Sequence, residues 1–278
     1  MRIERFAERA LPEAGRADQV LIAQWTAFIC LVDDELDVTP MGGRPEQVGS
    51  AMHRLVDVLE QDGHDEVRSP AETALADLWR RTAPRMTGGL RDRFIAHYRD
   101  FVEATHEEAL ARASGTRLSL SRYLRQRHRS ITAHPMLDLV ESTYPVSLPD
   151  EWHSRSAVRA LRDAAVDTVG WVNDLVSAGP ELTRGQDNLL TVLARERGCS
   201  YAEARSTVVA MLGESRRKFD QAAAELSQTP DGRRYAASLC SYLDAVLSWL
   251  SETARFEQTE DLMAYGPSLL EADRESGP

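Results

Sequence analysis

The spacing of apolar residues limits the fold of this chain more than any other feature of the sequence. In almost every long segment, apolar residues recur at spacings of three and four, the period of an amphipathic helix. No alternating run of Val, Ile and Thr lies between Asn-Gly or Asp-Gly turns, so little or no sheet is expected. The sequence therefore predicts an all-α protein.

The predicted helices follow one another with short breaks. Their expected ranges are 17–38, 46–62, 69–83, 90–113, 119–131, 134–144, 150–178, 186–197, 200–227 and 232–257. None of the breaks is long, and no repeat of fixed period occurs, which disfavours a solenoid and a linker between separate domains. Residues 1–278 are predicted to form a single-domain helical bundle, and the polar residues 266–278 are predicted to be a flexible tail.

Composition excludes several classes of function. A net charge of -11 argues against a general nucleic-acid binder, which needs a basic surface to neutralise phosphates. No apolar run is long enough to span a membrane, and the first residues lack the apolar core of a signal peptide, so no membrane insertion is expected. Cys30, Cys199 and Cys240 are widely separated and lack metal-binding spacing, which favours a reducing, cytoplasmic setting.

An acidic cluster ends the predicted helix at 17–38. Asp33 and Asp37 are one turn apart, so their carboxylates share one helix face and repel each other. A hard divalent cation such as Mg²⁺ would relieve this repulsion, because it prefers oxygen ligands. Taken alone, the cluster is equally typical of a solvated acidic helix end.

A second polar set lies 140 residues further along the chain. Asn173, Ser177 and Glu181 are spaced at i, i+4 and i+8, so an amide oxygen, a hydroxyl and a carboxylate line one helix face. Such a mixed oxygen set suits Mg²⁺. Because the two sets are far apart in sequence, they are expected on different helices that face each other across a bundle.

In this order, the two sets resemble the motifs of the class I terpene synthases, particularly the bacterial terpene cyclases. The DDxxD motif of that family corresponds to DDELD at 33–37, and its NDxxSxxxE motif to NDLVSAGPE at 173–181. The resemblance runs from about residue 10 to about residue 260. It implies the class I terpenoid synthase fold with a central apolar cavity, in which three Mg²⁺ ions hold a diphosphate. The implied metal ligands are Asp33, Asp37, Asn173, Ser177 and Glu181.

The resemblance also implies that arginines bind the diphosphate. Arg127, four residues after the tyrosine in YLRQR, corresponds to the diphosphate-sensing arginine of the family, and Ser130 and Ile131 fall near its helix break. Arg255 stands where the family has an Arg-Tyr pair, but Phe256 supplies no hydroxyl. Both arginines are implied to be catalytic.

Three further positions complete the predicted site. The family commonly has a lysine before the glutamate of its second motif. Pro180 stands there, so a kink or break is expected in the helix, and Arg184 is either the substitute cation or a surface residue. Trp171 adjoins the second motif and is the first choice among Trp25, Phe28 and Phe101 for an aromatic lining the substrate cavity. The segment before the first motif looks abbreviated beside those of many relatives.

The implied activity is that of a carbon–oxygen lyase: an allylic isoprenoid diphosphate of C15 or C20 ionises, and the carbocation cyclises to a terpene as diphosphate leaves. One alternative is a synthase acting on a pre-cyclised, labdane-type bicyclic diphosphate. A prenyl transferase would need a second DDxxD in place of NDLVSAGPE, and a non-catalytic helical protein would leave the two motifs as coincidence. A homodimer is left open.

Overall fold

Every regular element that the structure describes is helical. A computed structural model describes residues 2–63, 66–143 and 148–252, and these contain no strand. The helices are α1 (Ile3–Ala10), α2 (Arg16–Val38), α3 (Pro45–Glu60), α4 (Pro70–Thr82), α5 (Gly88–Ser114), α6 (Leu120–Ser130), α7 (Ala133–Thr143), α8 (Ser156–Thr183), α9 (Leu189–Arg197), α10 (Tyr201–Leu226) and α11 (Pro230–Glu252). The all-α prediction is confirmed. The single-domain assignment remains a prediction, and the tail at 266–278 lies outside the described residues.

Local capping explains where many of these helices begin. Ser69, Thr87 and Ser119 precede α4, α5 and α6, and each side-chain hydroxyl accepts a hydrogen bond from a backbone N–H of the first turn. Capping boxes start α9 at Asn188 and α10 at Ser200. The predicted helix at 186–197 therefore begins later than expected.

Helix α1 was not predicted from the sequence. Its apolar side is narrow, because only Phe6, Ala7 and Ala10 are buried in an otherwise charged segment. The helix packs against α2 and α11, and the Phe6 ring lies 6.1 Å from the ring of Tyr242. This tertiary contact, which local spacing does not reveal, stabilises the helix.

The predicted helix at 150–178 is wrong at both ends. Asp150–Ser154 form a short 3-10 turn, and Arg155 is extended, so α8 starts only at Ser156. The helix then continues past Pro180 to Thr183, and the expected break at Pro180 does not occur.

Helix α8 occupies the centre of the bundle and packs against α6, α7, α9, α10 and α11. The main core is built from side chains of α1 to α5, α7, α8, α10 and α11, and Trp25, Trp79 and Phe94 are buried in it. A second apolar group, here the α6–α9 cluster, comprises Leu118, Tyr123, Leu189, Leu190, Val192, Leu193, Ala204 and Val208. The main core packs mainly along the first half of α8, and the α6–α9 cluster packs against its later part at Trp171, Leu175 and Ala178.

A buried ion network holds α7 in place. The carboxylate of Asp138 is completely buried and accepts hydrogen bonds from Arg93 Nε at 3.0 Å and from Arg162 at 2.7 Å, and it pairs with His97 Nδ1 at 2.6 Å. These partners lie on α5 and α8. The pKa of Asp138 falls below its usual range because the surrounding cations outweigh the effect of burial.

The break between α6 and α7 falls at Ile131 and Thr132, beside the position that the family resemblance indicates. Thr132 has a φ of 59°, a left-handed backbone conformation that a β-branched residue seldom adopts.

Among the described residues, no helix has the length and apolar character needed to cross a membrane.

At position 132, glycine is expected to stabilise the fold more than alanine does. Thr132→Gly should exceed Thr132→Ala by about 1 kcal/mol in free energy of unfolding, because only glycine adopts positive φ without a steric penalty. At Thr207, a partly buried position inside α10, the order should reverse by about 1 kcal/mol. Urea denaturation of the four variants measures both differences. The same order at both positions would contradict the strain at Thr132.

Candidate active site

One cavity of about 430 Å³ collects most of the residues that the sequence motifs single out. It lies between the end of α2, the second half of α5, α6 and the turn after α8. Charged groups surround part of it, and Leu36, Phe101 and Leu118 supply apolar surface. The lining of the cavity therefore combines charged and apolar side chains.

The two predicted carboxylates of α2 both line this cavity. Asp33 is exposed and Asp37 partly buried, whereas Asp34 and Glu35 are not among the lining residues. Asp37 accepts a hydrogen bond from Arg112 at 3.3 Å. Burial and the neighbouring carboxylate of Asp33 raise the pKa of Asp37 to about 6, although Arg112 acts in the opposite direction.

Of the second set, only Glu181 lines the cavity. Its carboxylate accepts a hydrogen bond from Asn188 Nδ2 at 2.7 Å. Burial and Asp174 raise the pKa of Glu181 to about 7, against the effect of Arg127.

Asn173 and Ser177, the other two members of the set, form hydrogen bonds within the protein. Ser177 donates its hydroxyl hydrogen to the backbone carbonyl of Asn173 at 2.8 Å, and Asn173 Oδ1 accepts from Arg127 at 2.6 Å. A cation bound by Asn173 Oδ1 would lie beside this guanidinium or displace it, because the amide oxygen has a second lone pair.

Arg127 is fixed by a buried ion pair with Asp174. Its Nε donates to Asp174 Oδ1 at 2.8 Å, and the Asp174 side chain is fully buried. The other carboxylate oxygen accepts from the Tyr123 hydroxyl at 2.7 Å and from the backbone N–H of Leu189 at 3.2 Å. Asp174 thus connects α6, α8 and α9 and aims the guanidinium of Arg127 at the cavity, which Arg127 lines.

The turn after α8 brings the two predicted motifs to the same cavity. Arg184 Nε donates to Gln186 Oε1 at 3.0 Å, and Gln186 Nε2 donates to Asp37 Oδ1 at 3.1 Å. Gly185 lies between them at a φ of 70°, which glycine adopts without strain. The structure therefore places Arg184 at the cavity, three residues after Glu181.

The predicted aromatic residues separate into two groups. Phe101 lines the cavity, whereas Trp25 and Phe28 belong to the main core. Trp171 packs against the α6–α9 cluster and is not among the residues lining the cavity. Adjacency to the second motif in sequence does not place Trp171 in the cavity, because successive helical residues point in different directions.

The other arginines of α6 do not line the cavity. Arg122 and Arg125 are exposed, and Arg129 forms an ion pair with Glu107 at 3.0 Å. Arg255 and Phe256 lie outside the described residues.

The cavity residues fit a hard divalent cation. Asp33, Asp37 and Glu181 bring three carboxylates to one cavity. Burial and neighbouring negative charge raise the pKa of Asp37 and of Glu181. A cation relieves that excess, and oxygen donors are the ligands that Mg²⁺ prefers.

Several residues of the site were not anticipated from the sequence. Asp174 follows Asn173 within the second motif and occupies its buried face, a signal that a helical projection would have given. Asn188 precedes an apolar run in the sequence NLLT, which is typical of a helix N-cap. The contacts of Tyr123 depend on the tertiary fold, so no local signal indicates them.

Glu108 is another cavity carboxylate that the motifs do not include. It lies on α5 one turn before Arg112, and burial raises its pKa although Arg112 opposes the shift. An acidic and a basic residue four apart are so common on exposed helix faces that this pair gave no signal.

The fold and the site define the class of protein: an all-α bundle in which acidic side chains and a buried arginine surround one cavity. Residues 24–218 match the family described as terpene synthase family 2, C-terminal metal binding. The chain therefore belongs to this family and is a bacterial class I terpene synthase.

Individual relatives agree with this assignment. Pristinol synthase of Streptomyces pristinaespiralis is 30% identical over 277 residues, which span 93% of this chain and 74% of the relative. A (−)-β-caryophyllene synthase of Saccharothrix espanaensis, described as cyclising (2E,6E)-farnesyl diphosphate, is 32% identical and spans 97% and 80%. The crystal structure of germacradien-4-ol synthase from Streptomyces citricolor has a TM-score of 0.80 at 28% identity and covers 90% of this chain and 83% of that one.

Removal of Asp174 is expected to destabilise the fold strongly. Asp174→Ala leaves Arg127 largely buried without its partner and should lower the free energy of unfolding by about 3–5 kcal/mol. Tyr123→Phe removes one hydrogen bond to the same carboxylate and should cost about 1–3 kcal/mol. Chemical denaturation measures both. As a control, Asp220→Ala on the exposed face of α10 should stay within about 0.5 kcal/mol, and a similar value for Asp174→Ala would contradict the central role of this carboxylate.

Proposed function

We propose that this synthase ionises farnesyl diphosphate and cyclises the resulting carbocation to a terpene, with release of diphosphate. The observation that carries the proposal is that Asp33, Asp37 and Glu181 line the same cavity as Arg127. The choice of a C15 substrate over a C20 substrate rests on the β-caryophyllene synthase relative, which is described as cyclising farnesyl diphosphate. The cavity volume of about 430 Å³ is within the usual range for small-molecule sites.

The oxygen ligands are proposed to hold three Mg²⁺ ions together with the diphosphate. Asp33 and Asp37 supply carboxylates from α2, and Asn173, Ser177 and Glu181 supply mixed oxygen ligands from α8. When bound, the metal stabilises negative charge on the leaving diphosphate and orients it. Asn173 and Ser177 would complete this ligand set through the amide oxygen and the hydroxyl oxygen.

The arginines are proposed to bind the diphosphate directly. Arg127 is already oriented by Asp174, so little reorganisation is needed when negative charge develops on the leaving group. Arg184 occupies the cavity three residues after Glu181 and supplies the cation that the family lysine would give. Arg255 is proposed as a further diphosphate ligand.

The apolar part of the cavity is proposed to hold the hydrocarbon chain. Leu36 and Leu118 exclude water from the carbocation, and the face of an aromatic ring attracts positive charge. Phe101 is the aromatic side chain in position for this contact, in place of Trp171.

A cytoplasmic location is also proposed. Cys30, Cys199 and Cys240 form no disulfide in the described part of the chain, as is typical of a reducing compartment. The oligomeric state is left to measurement, with a homodimer as one outcome.

Turnover is expected to require both ligand sets. With Mg²⁺ and farnesyl diphosphate, the protein should release a cyclic terpene detectable by gas chromatography of an extract. Asp33→Ala and Asn173→Ala should each abolish this product, because each removes an oxygen ligand. Circular dichroism should show unchanged helical content in both variants.

Asp220→Ala provides the matched control, since it removes an exposed carboxylate from α10, away from the cavity. Parallel incubations with geranyl and geranylgeranyl diphosphate test the substrate length. Full activity of Asp33→Ala or Asn173→Ala would refute the metal ligands, and a product from geranylgeranyl diphosphate alone would refute the C15 substrate.

Arg127 is expected to act on the diphosphate through its own charge. Arg127→Lys keeps that charge but loses the forked hydrogen bonds, so kcat should fall about 100-fold or more. Added Mg²⁺ should not restore the rate. Arg129→Ala, which removes a neighbouring arginine paired with Glu107, should leave kcat within a fewfold of the original. Recovery of the Arg127→Lys variant at high Mg²⁺ would show that the arginine acts only by supporting metal binding.

A further inference from the structure

A cluster of two histidines and one aspartate lies outside the active site, where α6, α7 and α8 meet. His128 is on α6, His134 on α7 and Asp163 on α8, and one ligand atom from each lies within 4.8 Å of the other two. None of the three lines the cavity that contains Asp33 and Glu181. The cluster therefore requires an explanation separate from diphosphate binding.

The donor atoms of this cluster are spaced as metal ligands are. His128 Nε2 lies 3.0 Å from His134 Nε2 and 3.7 Å from Asp163 Oδ1. Ligands about 2.0–2.1 Å from a tetrahedral zinc ion are separated by roughly 3.3 Å, so a small shift of the side chains suffices to bind one. The three ligands would leave a fourth position for water.

The surroundings orient both imidazole rings. His128 Nδ1 lies 2.9 Å from Asp167 Oδ1, the carboxylate contact that often accompanies a metal-binding histidine and leaves Nε2 to face the metal. The ring of His134 stacks on His97 at 4.7 Å.

His134 Nδ1 is buried and has no hydrogen-bond partner among the described residues, so no hydrogen bond at Nδ1 selects one tautomer. Burial, His97 and Arg162 lower the pKa of His134 to about 3, which keeps the ring in the neutral form that binds metals.

We infer that His128, His134 and Asp163 form a second metal site, selective for a divalent transition ion of the zinc type. The two imidazole ligands set it apart from the oxygen ligands of the active site, because nitrogen donors favour Zn²⁺ or Co²⁺ over Mg²⁺. Its exposed member, Asp163, provides access from solvent. The bound ion joins three helices across the break at Ile131 and Thr132.

A shared proton is the competing explanation for the close nitrogen pair. Burial acts against a charged His128, but Asp163 and Asp167 raise its pKa to about 9, so a protonated His128 could donate to His134. A metal and a proton compete for the same lone pairs. Binding of Zn²⁺ at neutral pH with release of protons would therefore favour the metal site.

The test is titration of the full-length protein with Zn²⁺ in excess Mg²⁺, which occupies the oxygen ligands. The expected result is one Zn²⁺ per chain and a higher melting temperature. His134→Ala and Asp163→Asn should each abolish this binding or weaken it about 100-fold, and Asp167→Asn should weaken it about 10- to 100-fold. Because Asp163 is exposed, its variant tests the site even if His134→Ala does not fold.

His53→Ala is the matched control, since His53 is a half-exposed histidine on α3 that pairs with Glu103. It should bind Zn²⁺ as the unaltered protein does. Co²⁺ provides a second readout, because tetrahedral coordination with nitrogen ligands gives strong visible absorption. No zinc binding, equal binding by Asp163→Asn, or loss of binding in His53→Ala would overturn the inference. None of these outcomes depends on turnover of farnesyl diphosphate.

Discussion

The ion pair between Arg127 and Asp174 is the contact on which the geometry of the active site depends. A fully buried carboxylate is costly unless it is paired and hydrogen-bonded, and Asp174 on α8 meets this need with groups from α6 and α9. The arginine orientation thus follows from the requirements of the buried charge. Arg127 also donates a hydrogen bond to Asn173, so a cation would compete with the arginine for this predicted metal ligand.

The electrostatics of the cavity favour a cation beside its carboxylates. Burial raises the pKa of Asp37, Glu108 and Glu181, which means that each ionised form is disfavoured by its neighbours or by loss of water. Cations stabilise those ionised forms, and among the described residues the five acidic ones that line the cavity outnumber its four arginines. The residues therefore favour a divalent metal, and the metal in turn makes the cavity attractive to a diphosphate.

Sequence patterns predicted most of the helices, and motif spacing indicated Asp33, Asp37 and Glu181, which line one cavity. Both helical period and motif spacing are local properties of the sequence. They failed where tertiary contacts decide the outcome. Helix α1 depends on packing against α11, and Trp171 faces the α6–α9 cluster although it adjoins the second motif. Gln186 reaches Asp37 across 149 positions of sequence, a contact that a single sequence without an alignment could not indicate.

On helix α6, the adjacent residues Arg127 and His128 contact different carboxylates of α8. Successive helical side chains diverge by about 100°, so Arg127 and His128 meet α8 at different levels, at Asp174 and at Asp167. Gly170 lies between those levels and is buried against Arg127 and Ile131, so the two helices pack closely there. The C-terminal part of this short helix is thus fixed to α8 by charged contacts, just before the break after Ser130. Any ligand that tightens the histidine cluster acts on the same helix that aims Arg127 at the cavity.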